Sequence, residues 1–179
     1  MVLGLVWLVA VGSASQARQD DQRLDRLFEK LQTVEDFEVA NRLIGAIWKI
    51  WYQSGSETVD LLIANGDREM TSHHYDKALE LFTAAINLDP KFAEAWNRRA
   101  TLNYAMGRFD DSVHDIQETL ALEPRHFGAL SGLGLIYDAL DKPEGALKAY
   151  EKAISVNPHL PYARQRIEIL KKQVEGSPI

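Results

Sequence analysis

Few residues in this chain are arranged for bond chemistry. His73-His74 offers two imidazoles that could ligate zinc or nickel. A closed metal site needs about four donors, yet the sequence has no cysteine and no third histidine beside the pair. The pair reads as a solvated turn, since histidine tolerates turn conformations better than bulky residues do. The run Gly128-Ala-Leu-Ser-Gly132-Leu-Gly134 is glycine-rich, but a phosphate cradle must lie between a strand and a helix. This run sits inside a helical pattern, where glycine allows close helix packing or thins the wall of a groove. Neither a Gly-x-Ser-x-Gly elbow nor a His-Glu-x-x-His pair occurs. His114, His126 and His159 read as surface residues. The expectation is a protein without catalysis, cofactor or metal. Recognition is the chemistry that remains. Tyr104, an aromatic with a polar tip near Arg98 and Asn97, is of the type enriched in binding hot spots.

The elements that position these residues follow a repeat. Pro90, Pro124 and Pro158 stand 34 residues apart, preceded by Asp89, Glu123 and Asn157. Alignment on the prolines gives units 59–92, 93–126 and 127–160. One slot then holds Leu62, Trp96 and Leu130, and a small slot four residues on holds Gly66, Ala100 and Gly134. A second small slot holds Ala78, Ser112 and Ala146, followed by a bulky one with Phe82, Ile116 and Tyr150, then by Ala85, Thr119 and Ala153. Within a unit, apolar residues recur at helical spacing in two stretches parted by a turn. In the middle unit that turn is Gly107-Arg108. Small slots let the paired helices approach, and bulky ones fill the adjacent groove. Each repeating proline ends a second helix, because its ring clashes with the preceding turn and it donates no N–H. Pro143 instead suits a first helical turn.

With these slots in register over 102 of 179 residues, the chain resembles the tetratricopeptide repeat, a helix–turn–helix unit. The resemblance implies an all-α, right-handed solenoid of three units whose first helices line a concave groove for a peptide or partner helix. By helical offset from the packing slots, the groove should present Ile63, Asp67 and Met70 from the first unit. The second would add Asn97, Arg98, Thr101 and Tyr104, and the third Ser131, Leu135 and Asp138. Tyr104 has a competing role, packing against the chain's own amino-terminal segment. Repeat domains that bind the acidic tails of cytosolic heat-shock chaperones use a clamp of Lys, Asn, Asn, Lys and Arg. Those slots here hold Ile63, Asp67, Arg98, Gly128 and Gly132, so no carboxylate clamp is expected.

A short stack needs caps on its apolar ends. Residues 161–175 supply one helix, with Tyr162, Ile167, Leu170 and Val174 on one face. Residues 18–57 read as a helical hairpin, from Asp20 to Gln32 and from Glu35 to Gln53, packed on the first repeat. Register would make it a degenerate repeat with Trp48 in the Phe82 slot and Trp51 in the Ala85 slot. Gln53-Ser-Gly-Ser-Glu57 links it onward, with Ser56 as an N-cap.

Composition bounds the rest. Twenty basic against 26 acidic residues give a net charge of -6, which disfavours a nucleic-acid backbone binder. Residues 2–12 are apolar and uncharged and are followed by Ser13-Ala-Ser-Gln-Ala17. That run is about half the ~20 residues a spanning helix needs, and it reads as a signal peptide over 1–17, though no basic residue precedes it. The expectation is a periplasmic or secreted adaptor with a protein or peptide partner, touching a membrane only through an uncleaved amino terminus. The alternatives are a cytoplasmic scaffold and a self-associating protein that pairs through the Trp48/Trp51 face or the last helix.

Overall fold

The computed structural model describes residues 21–176, so the expected leader at 1–17 lies outside the described residues. These residues form nine helices and no strand: α1 (Arg23–Thr33), α2 (Phe37–Trp51), α3 (Glu57–Thr71), α4 (Tyr75–Leu88), α5 (Ala93–Ala105), α6 (Phe109–Leu122), α7 (Phe127–Ala139), α8 (Pro143–Val156) and α9 (Pro161–Glu175). Helices α3–α4, α5–α6 and α7–α8 pair as antiparallel hairpins stacked into a solenoid, with α9 against α8.

The hairpin turns share one backbone device. His73, Gly107 and Asp141 occupy equivalent positions 34 residues apart, and all have positive φ, 60°, 72° and 52°. In each, the next residue donates its N–H back to the first helix: His74 to Glu69 O, Arg108 to Asn103 O and Lys142 to Tyr137 O. This is the Schellman closure, which satisfies carbonyls the helix end would leave bare. His73 is therefore a left-handed turn residue, with Nδ1 2.9 Å from Tyr75 Oη.

The small and bulky slots face each other. A Cβ on Gly66 would run into the Phe82 ring, and one on Gly134 would lie 2.6 Å from Tyr150 Cε1. At the other end of each unit the residue before the proline turns the chain. Asp89 Oδ1 accepts from Lys91 N, Glu123 Oε1 from Arg125 N and Asn157 Oδ1 from His159 N.

Charged ties lock the stack. Arg99 reaches Asp115 through two hydrogen bonds of 2.9 and 2.8 Å, and Asn103 adds a third donor at 3.0 Å. Arg166 on α9 holds Asp138 in the same bidentate way, while the Tyr150 hydroxyl donates to Asp138 at 3.0 Å. On α9, Ala163, Ile167 and Leu170 are buried, whereas Tyr162, expected on that face, is exposed and only edges the Tyr150 ring.

The amino-terminal hairpin departs from expectation. Asp36 caps α2 by accepting from Val39 N at 2.8 Å, which starts the helix at Phe37. Ser56 makes no side-chain cap bond; the linker is held instead by Ser54, whose N–H and hydroxyl both donate to Asp60 Oδ1. The hairpin does not dock on the first repeat as a fourth unit. It lies across the turns that join units two and three and unit three to α9: Leu24, Phe28, Leu31, Ile47 and Trp51 share a core with Phe127, Val156 and Leu160. Trp51 suits this placement: an indole is too large for a slot that holds alanine in the first and third repeats, and here it lies against His126 and Phe127 at the start of α7.

The concave groove and its aromatic seat

The first turn of α5 contributes a buried carboxylate, Glu94, which collects three donors. Arg98 Nε stands 2.6 Å from Oε1, with Asn97 Nδ2 3.1 Å and His126 Nε2 3.0 Å from Oε2. His126 Nδ1 accepts the Ala129 N–H at 3.0 Å and so caps α7. That bond leaves the imidazole proton on Nε2, directed at Glu94. Burial holds the Glu94 carboxyl above its usual range, against the His126 and Asn97 hydrogen bonds that pull it down. With three donors on two oxygens, the ionised form fits the geometry. Burial also lowers the Arg98 guanidinium to about 10. Across the groove on α3, Asp67 stands 3.6 Å from Arg98. Its own burial, with the Glu94 charge second, raises it to about 6.

The hairpin seats on this cluster. Trp51 stacks on His126 with ring centroids 4.3 Å apart and planes 12° from parallel, and Trp48 meets the same ring edge-on. Tyr52 covers the Arg98 guanidinium at 4.5 Å. Gly128 makes room, since a Cβ there would lie 2.7 Å from the Trp48 ring. Directional bonds surround the stack: Arg125 to Asp25 at 2.7 Å, Gln32 Nε2 to Val156 O at 2.6 Å, and His159 Nε2 to Leu31 O at 3.2 Å.

Beyond the seat, the groove between α5 and α7 stays open as a cleft of about 170 Å³. Asn97, Thr101, Tyr104, Ser131 and Leu135 line it with Gly128 and Gly132, over a floor of Ala100, Ile116 and Ala129. Half of the ten expected groove residues thus meet around one cleft. Tyr104 packs on Phe109, 5.8 Å between centroids, rather than on the hairpin. Arg98 and Asp67 lie at the covered end.

Three expected groove residues are placed otherwise. Ile63 is buried and Met70 packs in the same core, because α5 stacks over α3 and brings Phe92, Ala95 and Leu102 against them. Asp138 is consumed by Arg166 and Tyr150. Another correction concerns His126, which is fully buried rather than on the surface. His159 is half-buried against α1, and only His114 fits the surface reading. The Trp48/Trp51 face, one of the two surfaces named for the self-association alternative, is occupied within the chain. Among the described residues no cluster of three metal-ligating side chains forms, and no helix is long and apolar enough to cross a membrane.

Stacked helical hairpins with a groove along their first helices define an interaction solenoid, a class that recognises other proteins. The tetratricopeptide repeat pattern matches residues 63–105 and again 128–160. A TPR repeat-containing protein of Rhizobium etli is 36% identical over 169 residues, 94% of this chain and 83% of the relative. The chain belongs to the tetratricopeptide repeat family. Among solved structures, MamA is 26% identical with a TM-score of 0.60, covering 86% of this chain and 81% of its own. The first TPR of Spaghetti (RPAP3), bound to the HSP90 peptide SRMEEVD, is 23% identical with a TM-score of 0.64, covering 67% and 95%; at that identity it speaks for the fold alone.

Proposed function

We propose that the cleft between α5 and α7 binds a short, uncharged segment of a partner protein, and that this chain is a non-catalytic adaptor or assembly factor of the bacterial envelope. One observation carries the binding reading: five residues expected to face the groove converge on a single open cleft with a floor of small and apolar side chains. Its opening is hydroxyl-lined and neutral. The Thr101 and Ser131 hydroxyls donate to the backbone of their own helices, leaving lone pairs free to accept from a ligand N–H. The residue that could grip a carboxylate, Arg98, is already paired with Glu94 and lies under Tyr52. The segment recognised is therefore apolar with backbone donors, unlike an acidic tail. The envelope assignment rests on the leader-like residues 1–17.

Filling the cleft tests the first half. A Cβ on Gly132 would sit 3.6 Å from Ile116 Cδ1, an ordinary contact, so Gly132→Leu should occupy the cleft without moving the helices. A partner captured by wild type from the native host should be lost by Gly132→Leu and by Tyr104→Ala, with melting temperatures within a few degrees of wild type. A partner kept by both variants places the binding surface elsewhere. For the second half, sequencing the mature amino terminus should give a start near Arg18 in the periplasmic fraction; an intact Met1 in the cytoplasm refutes export.

A further inference from the structure

The outer side of the amino-terminal hairpin, away from the array, carries a second surface. Positions 23, 26, 27 and 30 of α1 and 46, 49, 50 and 53 at α2 follow the i, i+3, i+4, i+7 spacing of one helix face each. Together Arg23, Arg26, Leu27, Lys30, Ala46, Lys49, Ile50 and Gln53 line a shallow, open cleft of about 760 Å³. Half-buried Leu27 and Ala46 form its apolar floor over the buried Ile50, four cations stand around it, and among the described residues no carboxylate lines it. Among the described residues Arg23 is paired, to Asp21 at 2.7 Å. Arg26, Lys30 and Lys49 form no ion pair among the described residues. In a chain of net charge -6, this local positive field is out of keeping with the whole.

We infer that this cleft docks an acidic amphipathic helix of a partner protein, at a site separate from the concave groove. The shape selects a helix: the lining covers about two turns of α1, roughly 10 Å at 1.5 Å per residue, and a trough between antiparallel helices accepts a third by apolar contact. The charge selects the sign. Asp or Glu flanking the partner's apolar stripe would meet Arg26, Lys30 and Lys49, which steer encounter and fix orientation. A flat anionic membrane would not enter a trough, and a purely electrostatic ligand would leave the half-buried Leu27 and Ala46 uncovered.

The test uses the full chain and three labelled 18-residue helical peptides: one with an apolar stripe flanked by Glu, the same stripe flanked by Lys, and a Glu peptide with the stripe scrambled. Fluorescence anisotropy should show saturable binding of the first alone, weakened about tenfold or more by Arg26→Glu/Lys49→Glu and partly by Arg26→Gln/Lys49→Gln, since two ion pairs are lost in each case. These side chains are peripheral, so circular dichroism melts should be unchanged. Tyr104→Ala should bind the peptide as wild type does, which separates this site from the groove. Equal binding of the Glu and Lys peptides, equal binding of the scrambled peptide, or undiminished binding by the charge-reversed variant overturns the inference. So does a dimer by light scattering that dissociates as the peptide binds, which would assign the cleft to a second copy.

Discussion

Truncating Trp51 to alanine should undock the amino-terminal hairpin while leaving the solenoid folded. The indole is 2% exposed and contacts His126 at 4.3 Å, Phe127 at 5.0 Å, Trp48 at 5.3 Å and Phe28 at 5.9 Å between ring centroids. Removing a buried tryptophan costs about 3–5 kcal/mol. Part of that is returned, because Trp51 Nε1 is buried with no partner among the described residues, and relief of an unsatisfied donor is worth about 1 kcal/mol at the low end. The net of about 2–4 kcal/mol is a 30- to 1,000-fold change in the docking equilibrium, at about 1.4 kcal/mol per tenfold. The loss should centre on the hairpin and its contact with the start of α7, where Phe127 lies inside the shared core, because the first two units are held by cores that contain no hairpin residue. Hydrogen exchange read by mass spectrometry should show residues 23–51 losing protection by about that factor while α3–α6 keep theirs. Trp51→Phe, which keeps the stack and drops the orphaned N–H, should retain most of the protection. If protection falls together in α1 through α9, the hairpin and solenoid are one cooperative unit and the reasoning fails.

Two further perturbations test the packing and the electrostatics. Gly134→Ala places a Cβ 2.6 Å from the Tyr150 ring and should cost about 1–3 kcal/mol by overpacking, seen as a lower urea midpoint; an unchanged midpoint would mean α7 and α8 separate freely. Asp67 is raised from 3.8 to about 6 by burial, so the folded state binds its proton more tightly than the unfolded one. The protonated form is favoured fully below pH 4, and that stability is lost as pH rises through about 6. The gap corresponds to about 3 kcal/mol, of which we take about 1 because a third of the side chain is exposed. Asp67→Asn, which cannot ionise, should match wild type near pH 4 and exceed it by about 1 kcal/mol at pH 7.5. The same difference at both pH values would show that Asp67 is not desolvated.

What the sequence made legible was the part governed by short-range rules. The 34-residue phase of Pro90, Pro124 and Pro158 fixed the helix ends, because proline acts on its own backbone. The small slots at Gly66 and Gly134 and the bulky ones at Phe82 and Tyr150 were readable from the repeat, and the structure brings each pair together within one unit. Groove residues near the middle of the stack, Thr101 and Ser131, lie where helical offset put them. Offset failed for Ile63, where the neighbouring helix covers the face. It failed for Asp138 because Arg166, 28 residues on, claims it. His126 was illegible for a stronger reason. A histidine in an inter-unit turn is ordinarily wet, and its burial depends on Trp51, which reaches it only through the tertiary fold. Trp51 itself carried the one available signal, a large aromatic in a slot that takes alanine elsewhere.

The buried ions explain how the hairpin finds one position rather than many. Aromatic burial is strong but tolerant of sliding, since apolar contact has no direction. Charges taken out of water add little net stability, so the Glu94–His126–Arg98 cluster is a poor source of docking energy. Its value is orientation. Glu94 aims His126 from one side and the Ala129 N–H holds it from the other, so the imidazole presents a fixed plane on which Trp51 lies 12° from parallel. Arg98, held by Glu94, gives Tyr52 a fixed cation. A hairpin shifted by one turn would lose both platforms, as well as the bonds from Gln32 to Val156 and from Arg125 to Asp25. The same ions that define the seat take Arg98 and Asp67 out of the groove, and what remains for a partner is its neutral half.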